Sequence, residues 1–483
     1  MKKKSSLGST IAVSLTNYLD AGAIVAGASG LSLWKDYLGL AETHLGLLNA
    51  ISANCLGAAV GAIIGGFLAD RYGRKAIYTY NMLIYMAGVL CILLSTSFAM
   101  LLAGFLVTGI SVGVGVPASW TYISESSEVG NRGRNIGISQ MAWGIGPTVI
   151  LILGTLLAPP TGGVGSEGLL FPLVEQVASW FGVTGGGALH VFSSRLVFAS
   201  LFVVALIAWL LQRRLEESKE WKQSARPSRP SRPSRPSPQP LPAGRGVVSY
   251  TAERAVSKGN YSPPYREGPG GGSAAGDSRL IALRTLLFLA GMYLTWNLVA
   301  SVMGFFQQHI YETAGGLSNE HANLLSVGQW LLIIATTFVF SMIVDKVNQR
   351  WLYFTGVSFA VLAWVMVLTV GITSIAGLLL FTVLWALQAG ISVQSFYALW
   401  ASELFPARYR AAAQGIMFFL VRGLSAAWGL GFVYIYGEHG EGFTRAAWVM
   451  LGLLVVSLVI GTVFAPETRG KSLEQISRER YGS

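Results

Sequence analysis

The chain has 483 residues, 52% of them hydrophobic and only 12% charged, with a mean hydropathy of +0.54. Soluble domains carry about 25% charged residues, so this composition excludes an ordinary soluble enzyme and fits a bundle of lipid-facing helices. The formal net charge of +11 does not mark a nucleic-acid surface, because residues 213–279 hold 13 Lys/Arg against 6 Asp/Glu, a net +7 in one loop. A basic loop beside apolar spans follows the positive-inside pattern.

Apolar runs long enough to cross about 30 Å of hydrocarbon fall near 11–34, 45–69, 76–95, 98–124, 135–157 and 190–212. They resume near 281–304, 322–344, 350–371, 374–401, 409–436 and 445–465. Met1-Lys-Lys-Lys4 precedes the first run without a small-residue cleavage site, so a retained helix is expected there. Basic residues gather at 2–4, 71–75, 132–134, 213–279, 346–350, 408–410 and 469–480, leaving the alternate loops nearly bare. Both termini are therefore expected on the cytoplasmic side. Cys55 and Cys91 lie within apolar runs, and no disulfide is expected.

The fold class expected is an all-α membrane protein with twelve transmembrane helices in two six-helix, pseudo-symmetric halves. The first half is assigned to 1–221, a disordered cytoplasmic linker to 222–278, and the second half with its tail to 279–483. The linker carries Arg226-Pro-Ser four times over, then Gly/Ser-rich sequence that cannot bury a core. Residues 158–189 form a glycine-rich loop in which 169–181 reads as a short interfacial helix.

The charges repeat between the halves. Asp70 precedes Glu125 by 55 residues and Asp345 precedes Glu403 by 58; Arg132 and Arg410 each follow their glutamate by seven. Each half ends in a related run, Arg214-Leu-Glu-Glu-Ser-Lys219 and Pro466-Glu-Thr-Arg-Gly-Lys471. Gly65-Gly-Phe-Leu-Ala-Asp-Arg-Tyr-Gly-Arg-Lys75 joins two apolar runs, so its charges must form a tight turn at a membrane face. Its counterpart, Val344-Asp-Lys-Val-Asn-Gln-Arg350, is degraded.

The 65–75 string resembles the loop between helices 2 and 3 of the major facilitator superfamily, and the parallel halves fit that family. Ala401-Ser-Glu-Leu-Phe-Pro-Ala-Arg-Tyr-Arg410 and Pro466-Glu-Thr-Arg-Gly-Lys-Ser-Leu-Glu-Gln-Ile476 resemble its sugar-porter signatures. The resemblance implies a secondary transporter working by alternating access. It also implies a cytoplasmic salt-bridge lattice that holds the outward-facing state, placed here on Asp70, Arg71, Arg74, Glu125, Arg132, Arg134, Glu403, Arg408, Arg410 and Glu467.

Asp20 is the one carboxylate well inside a span, about ten residues and ~15 Å into the first. A buried carboxylate holds a proton more readily, so Asp20 is the candidate proton carrier. Tyr18-Leu-Asp-Ala-Gly-Ala-Ile-Val-Ala-Gly27 resembles the first helix of proton-coupled sugar porters, whose aspartate pairs with an arginine in helix 4. Aligning Gly109-Ile-Ser-Val-Gly113 with that helix puts Phe105 at the arginine's place, so the usual partner is absent. Arg422 lies ~20 Å deep in the eleventh span and should face a wet cavity or an anion. Sugar porters often carry a sugar-stacking tryptophan there, whereas related organic-anion carriers have an arginine, whose fork fits a carboxylate.

Other sugar-porter marks are missing: Thr295-Trp296 replaces a Gln-Gln pair, Ser395-Phe-Tyr-Ala398 replaces Pro-x-x-Trp, and Pro147 replaces a glutamine. The remaining substrate-binding candidates beside Arg422 are Gln140, Trp143, Trp296, Asn297, Gln388, Gln394 and Tyr397. Five scattered histidines and two cysteines form no metal set, and no phosphate-binding glycine loop is present, so no cofactor, metal or enzyme activity is expected. The expectation is a monomeric, multi-pass carrier in the plasma or inner membrane, with lipid, a small-molecule substrate and protons as partners and no nucleic acid. Its substrate is expected to be a small organic anion such as a monocarboxylate, aromatic acid or sugar acid, taken up with protons. The alternatives are a neutral sugar or polyol porter, in which Arg422 only neutralises Asp20, and a transporter-like nutrient sensor signalling through 213–279.

Overall fold

The computed structural model describes residues 6–41, 44, 47, 48, 55–160, 167–224, 271–313, 315–317, 319–391, 393–436 and 442–482. Met1–Lys4 and the Arg-Pro-Ser array lie outside the described residues. The first half comprises α1 (Ser6–Leu38), α2 (Leu56–Tyr72), α3 (Arg74–Leu93), α4 (Phe98–Ser126) and α5 (Arg132–Leu156). A short α6 (Phe171–Trp180), then α7 (Gly186–Gln212) and α8 (Lys219–Ser224), complete it. The second half comprises α9 (Gly271–Thr313), α10 (Asn319–Ile343), α11 (Gln349–Thr369), α12 (Ile375–Ile391) and α13 (Val393–Glu403). It closes with α14 (Arg410–Tyr436), α15 (Phe443–Phe464) and α16 (Leu473–Tyr481).

Among the described residues, ten helical segments are long and apolar enough to cross a membrane. Ser6–Leu38 and Leu56–Tyr72 bring the spanning helices to the expected twelve, α12 and α13 together forming one of them. The short helix expected in the 158–189 loop is α6, which buries Phe171, Val174 and Ala178. Two assigned boundaries move. α8 continues to Ser224 and α9 begins at Gly271, so helix enters the assigned linker from both ends. Extending an existing helix adds one hydrogen bond per residue fixed, so the spanning helix α9 propagates into flanking polar sequence, whereas α8 is a separate short helix.

Small residues set the helix crossings, as expected where lipid removes the hydrophobic drive between helices. A Cβ on Gly65 would come within 2.5 Å of the Val114 Cα, locking α2 onto α4. Between the halves, a Cβ on Gly66 would meet the Ala411 carbonyl oxygen at 2.5 Å, and one on Gly137 would meet the Ser341 Cα at 2.8 Å. The seam is therefore two close crossings, α2 on α14 and α5 on α10, related by the repeat. Gly73 joins α2 to α3 at φ +102°, a conformation that L side chains rarely adopt.

Candidate functional site

At one face of the bundle the repeated charges converge on the seam. The Asp70 carboxylate accepts hydrogen bonds from the Ala411 and Ala412 amides at 3.3 and 2.7 Å, capping α14 of the other half. Its counterpart Asp345 accepts from the Gly133 and Arg134 amides at 3.0 and 2.8 Å, capping α5. Helix N-termini leave amides without partners and carry a partial positive charge, so each half supplies an anion to the other.

Glu125 sits at the centre with a fully buried side chain. Its Oε1 pairs with Arg74 at 3.1 Å and Arg410 at 2.8 Å, while Oε2 accepts from the Ser218 hydroxyl at 2.5 Å. Arg74 also reaches Asp70 at 3.1 Å and donates to the Ala407 carbonyl at 2.6 Å. In the mirror position Arg132 pairs with Glu403 at 2.7 Å and donates to the Lys471 carbonyl at 2.5 Å. The copies are unequal. Where Arg74 follows Asp70 by four residues, Gln349 follows Asp345, and its Oε1 accepts from Trp400 and Thr468 instead of joining a charge network.

Of the ten lattice candidates, Asp70, Arg74, Glu125, Arg132, Glu403 and Arg410 meet at this seam. Four do not join the side-chain lattice. Arg71 is exposed and packs over Tyr72 at 5.3 Å. Arg134 contributes only its amide, its side chain being exposed. Arg408 is exposed at the α14 entrance, and Glu467 is 39% exposed beside Arg469 at 3.8 Å. Water solvates these four more cheaply than a fixed partner would. The residues missed are Asp345, Gln349, Ser218 and Glu220, the last 3.7 Å from Arg410. Carrying the Asp70-to-Arg74 interval into the second half would have found Gln349.

Burial pushes the Asp345, Glu217 and Glu220 carboxyls above the ordinary range, the amides and arginines around them only partly offsetting it. The closed face therefore binds protons more tightly than an open face with hydrated carboxyls. By linkage, acid should favour closure, and opening should grow as pH rises through the range just above ordinary carboxylate values. Spin-label distances across this face should report more open molecules at pH 8 than at pH 5; a reversed trend would contradict these protonation shifts.

Farther into the bundle a cavity of about 80 Å3 lies between the halves. It is lined by Ala21, Ile24 and Val25 of α1, Trp143 and Pro147 of α5, and Trp296, Asn297, Ala300, Ser301 and Gly304 of α9. Trp330 of α10, Gln394 of α13 and Arg422 of α14 complete it. Pro147 lacks an amide hydrogen, leaving the Trp143 carbonyl without its intrahelical donor on the cavity wall. Trp143 and Trp330 face each other with ring centroids 5.8 Å apart.

Asp20 lies beside this cavity, 3% exposed. α1 starts at Ser6, so Asp20 is about 21 Å along the helix, deeper than the ten-residue expectation. Trp143 lies beside its carboxylate, and the Arg422 guanidinium is the cation acting on it. Its Oδ1 has no hydrogen-bond partner among the described residues. Phe105 packs against Gly27, two turns along α1, and against Phe198 at 5.9 Å. α4 contains no basic residue, so the charge facing Asp20 comes from the other half. Arg422 also lies over the Phe418 ring at 4.9 Å.

Of the eight substrate-binding candidates, Arg422, Trp143, Trp296, Asn297 and Gln394 line the cavity, and three do not. Gln388 accepts from the Trp296 indole at 3.0 Å and braces that wall from behind. Tyr397 is fully buried, stacked on Tyr293 at 3.9 Å. Gln140 is buried on α5, away from the lining. Gln388 and Tyr397 make helix–helix contacts, which polar groups in a membrane bundle commonly do, while the buried Gln140 Nε2 has no hydrogen-bond partner among the described residues. Ser301 and Trp330 were missed, because nothing in their local sequence separates a cavity wall from a lipid-facing one.

A family model described as Major Facilitator Superfamily matches residues 10–430. The chain is 40% identical over 479 residues to the minor myo-inositol transporter IolF of Bacillus subtilis (strain 168), spanning 98% of this chain and 94% of that one. It is 25% identical to the glucose transporter GlcP of Staphylococcus epidermidis, over 95% and 94% of the two chains. The fold matches the solved proton:xylose symporter XylE bound to 6-bromo-6-deoxy-D-glucose with a TM-score of 0.72 at 17% identity, covering 99% of this chain and all of that one. These relatives favour the sugar or polyol alternative over the organic anion.

Proposed function

Because the chain belongs to the major facilitator superfamily, we propose that it carries a neutral polyol, most simply a cyclitol such as myo-inositol, together with a proton. The observation that carries this reading is the cavity wall, where the indoles of Trp143, Trp296 and Trp330 stand with the amides of Asn297 and Gln394 and the Ser301 hydroxyl. Ring polyols present C–H faces that pack on aromatic rings and equatorial hydroxyls that bond to amides. The 40% identity to a myo-inositol transporter supports the same class.

In this reading Arg422 neutralises Asp20 rather than holding a substrate carboxylate. Protonation at the unpartnered Oδ1 removes the attraction between α1 and α14, which belong to opposite halves. The substrate settles against the indoles while the charged lattice keeps the far side shut. Lattice opening then releases substrate and proton together, and the lattice face is the cytoplasmic one.

The test is counterflow in proteoliposomes, with labelled myo-inositol outside and an unlabelled panel inside. Cyclitols and linear polyols should drive label uptake, and organic acids of similar size should not. Uptake driven by organic acids alone would overturn the proposal. A loss in Trp143→Ala or Trp330→Ala of about tenfold in apparent affinity is expected for the cyclitol.

A further inference from the structure

We propose that the groove between the lattice-face ends of α3 and α7 binds the phosphate headgroup of an anionic phospholipid. The groove, of about 440 Å3, is lined by Lys75, Thr79 and Tyr80 of α3 with Trp209, Arg213 and Glu217 from the end of α7. It lies well away from the central cavity, and neither the transport reading nor the seam lattice uses its two cations. The Arg213 guanidinium lies 4.9 Å over the Trp209 ring, which holds it at the rim. Neither Arg213 nor Lys75 makes a side-chain ion pair among the described residues.

Two further features point to a phosphate. Thr79 lines the groove at only 9% exposure, and its buried Oγ1 has no hydrogen-bond partner among the described residues. The Glu217 carboxylate is already engaged, accepting from the Lys75 amide at 3.0 Å and the Ser218 amide at 2.8 Å. Two cations against one occupied carboxylate leave the lining net positive.

The surroundings favour a lipid over a soluble phosphate. From the groove toward the opposite face, α3 exposes Leu83 and Ile84, and α7 exposes Val203 and Leu206. These exposed apolar side chains would receive the acyl chains of a lipid whose headgroup sits in the basic groove. Basic pockets between transmembrane helices select anionic headgroups by this combination. Tyr80, 66% exposed at the rim, has the apolar body and polar tip suited to that interface.

The experiment is native mass spectrometry of the full chain in detergent, titrated with phosphatidylglycerol or phosphatidylcholine. Phosphatidylglycerol should bind tighter by about fivefold or more, and Lys75→Gln/Arg213→Gln should remove that preference, with Thr79→Val weakening it about threefold. Lys75→Arg/Arg213→Lys should retain it, which separates loss of charge from loss of fold. Arg279→Gln/Arg284→Gln removes two exposed cations from α9 and should leave it unchanged. Wild-type selectivity in the Lys75/Arg213 glutamine pair, or equal loss in the α9 pair, would overturn the proposal. So would displacement of the lipid by millimolar inorganic phosphate, which would make the groove a soluble-anion site.

Discussion

Asp20→Asn is expected to abolish uphill accumulation while preserving exchange of substrate across the membrane. Asn cannot carry the proton, so an inward gradient of one pH unit loses the roughly tenfold accumulation that one coupled proton sustains. Exchange needs only the rigid-body cycle and the cavity wall, neither of which requires the charge. Arg422→Gln should fail differently. It leaves a carboxylate 3% exposed without its cation, which favours the protonated form and should weaken release of the proton. Asp20→Asn/Arg422→Gln removes both charges and should recover exchange relative to Arg422→Gln alone. Proteoliposome accumulation and counterflow, measured side by side, check this; unchanged accumulation in Asp20→Asn would remove that residue from coupling.

The second large effect is expected at Glu125. Its Oε1 serves two buried guanidiniums, those of Arg74 and Arg410, and its Oε2 serves Ser218. Breaking a buried pair on one side costs about 3–5 kcal/mol. Only the Arg410 pair spans the two halves, and Arg74 keeps Asp70 as a partner, so the lower figure applies. About 3 kcal/mol moves the equilibrium between closed and open lattice faces by roughly a hundredfold toward open. Glu403→Gln should move it less, since Glu403 pairs with one arginine and that arginine also holds the Lys471 carbonyl. Cysteine labelling of the seam from the lattice face would report the order. A larger shift for Glu403→Gln would contradict the unequal build of the two copies.

That inequality was half legible in the sequence. The interval from Asp70 to Glu125 recurs from Asp345 to Glu403, and the degraded second motif signalled a weaker copy. The sequence could not say that Gln349 would turn to Trp400 and Thr468, because that depends on which groups the crossing of α11 with α13 brings near. Nor could it show that Asp345 acts through backbone amides as Asp70 does, since every residue has an amide and only a helix start aims it. The twelve spans were readable because hydrocarbon thickness fixes their length. The helix ends were not, as the extension of α9 back to Gly271 shows.

The cavity was legible in part for a physical reason. A polar or charged residue inside a span must face protein or water, which directed attention to Arg422, Asn297 and Gln394, in the cavity lining, and to Asp20 beside it. The same rule cannot separate a cavity wall from a helix–helix contact. Gln388 and Tyr397 met it equally and make helix–helix contacts, and Gln140 met it and is buried outside the lining. Trp330 gave no signal, because an indole suits a lipid-facing surface as well as a binding wall. The organic-anion expectation put substrate recognition by Arg422 ahead of the alternative in which it only neutralises Asp20. With Asp20 placed within its field from the other half, the guanidinium has a charge to balance before any substrate arrives.

The most direct test of the central claim is to record labelled myo-inositol uptake and lumenal pH together in proteoliposomes starting without a pH gradient. The proposal predicts that the lumen acidifies in step with inositol uptake, and that Asp20→Asn takes up inositol toward equilibrium with no pH change. Inositol uptake by the wild-type protein with no movement of protons would contradict it.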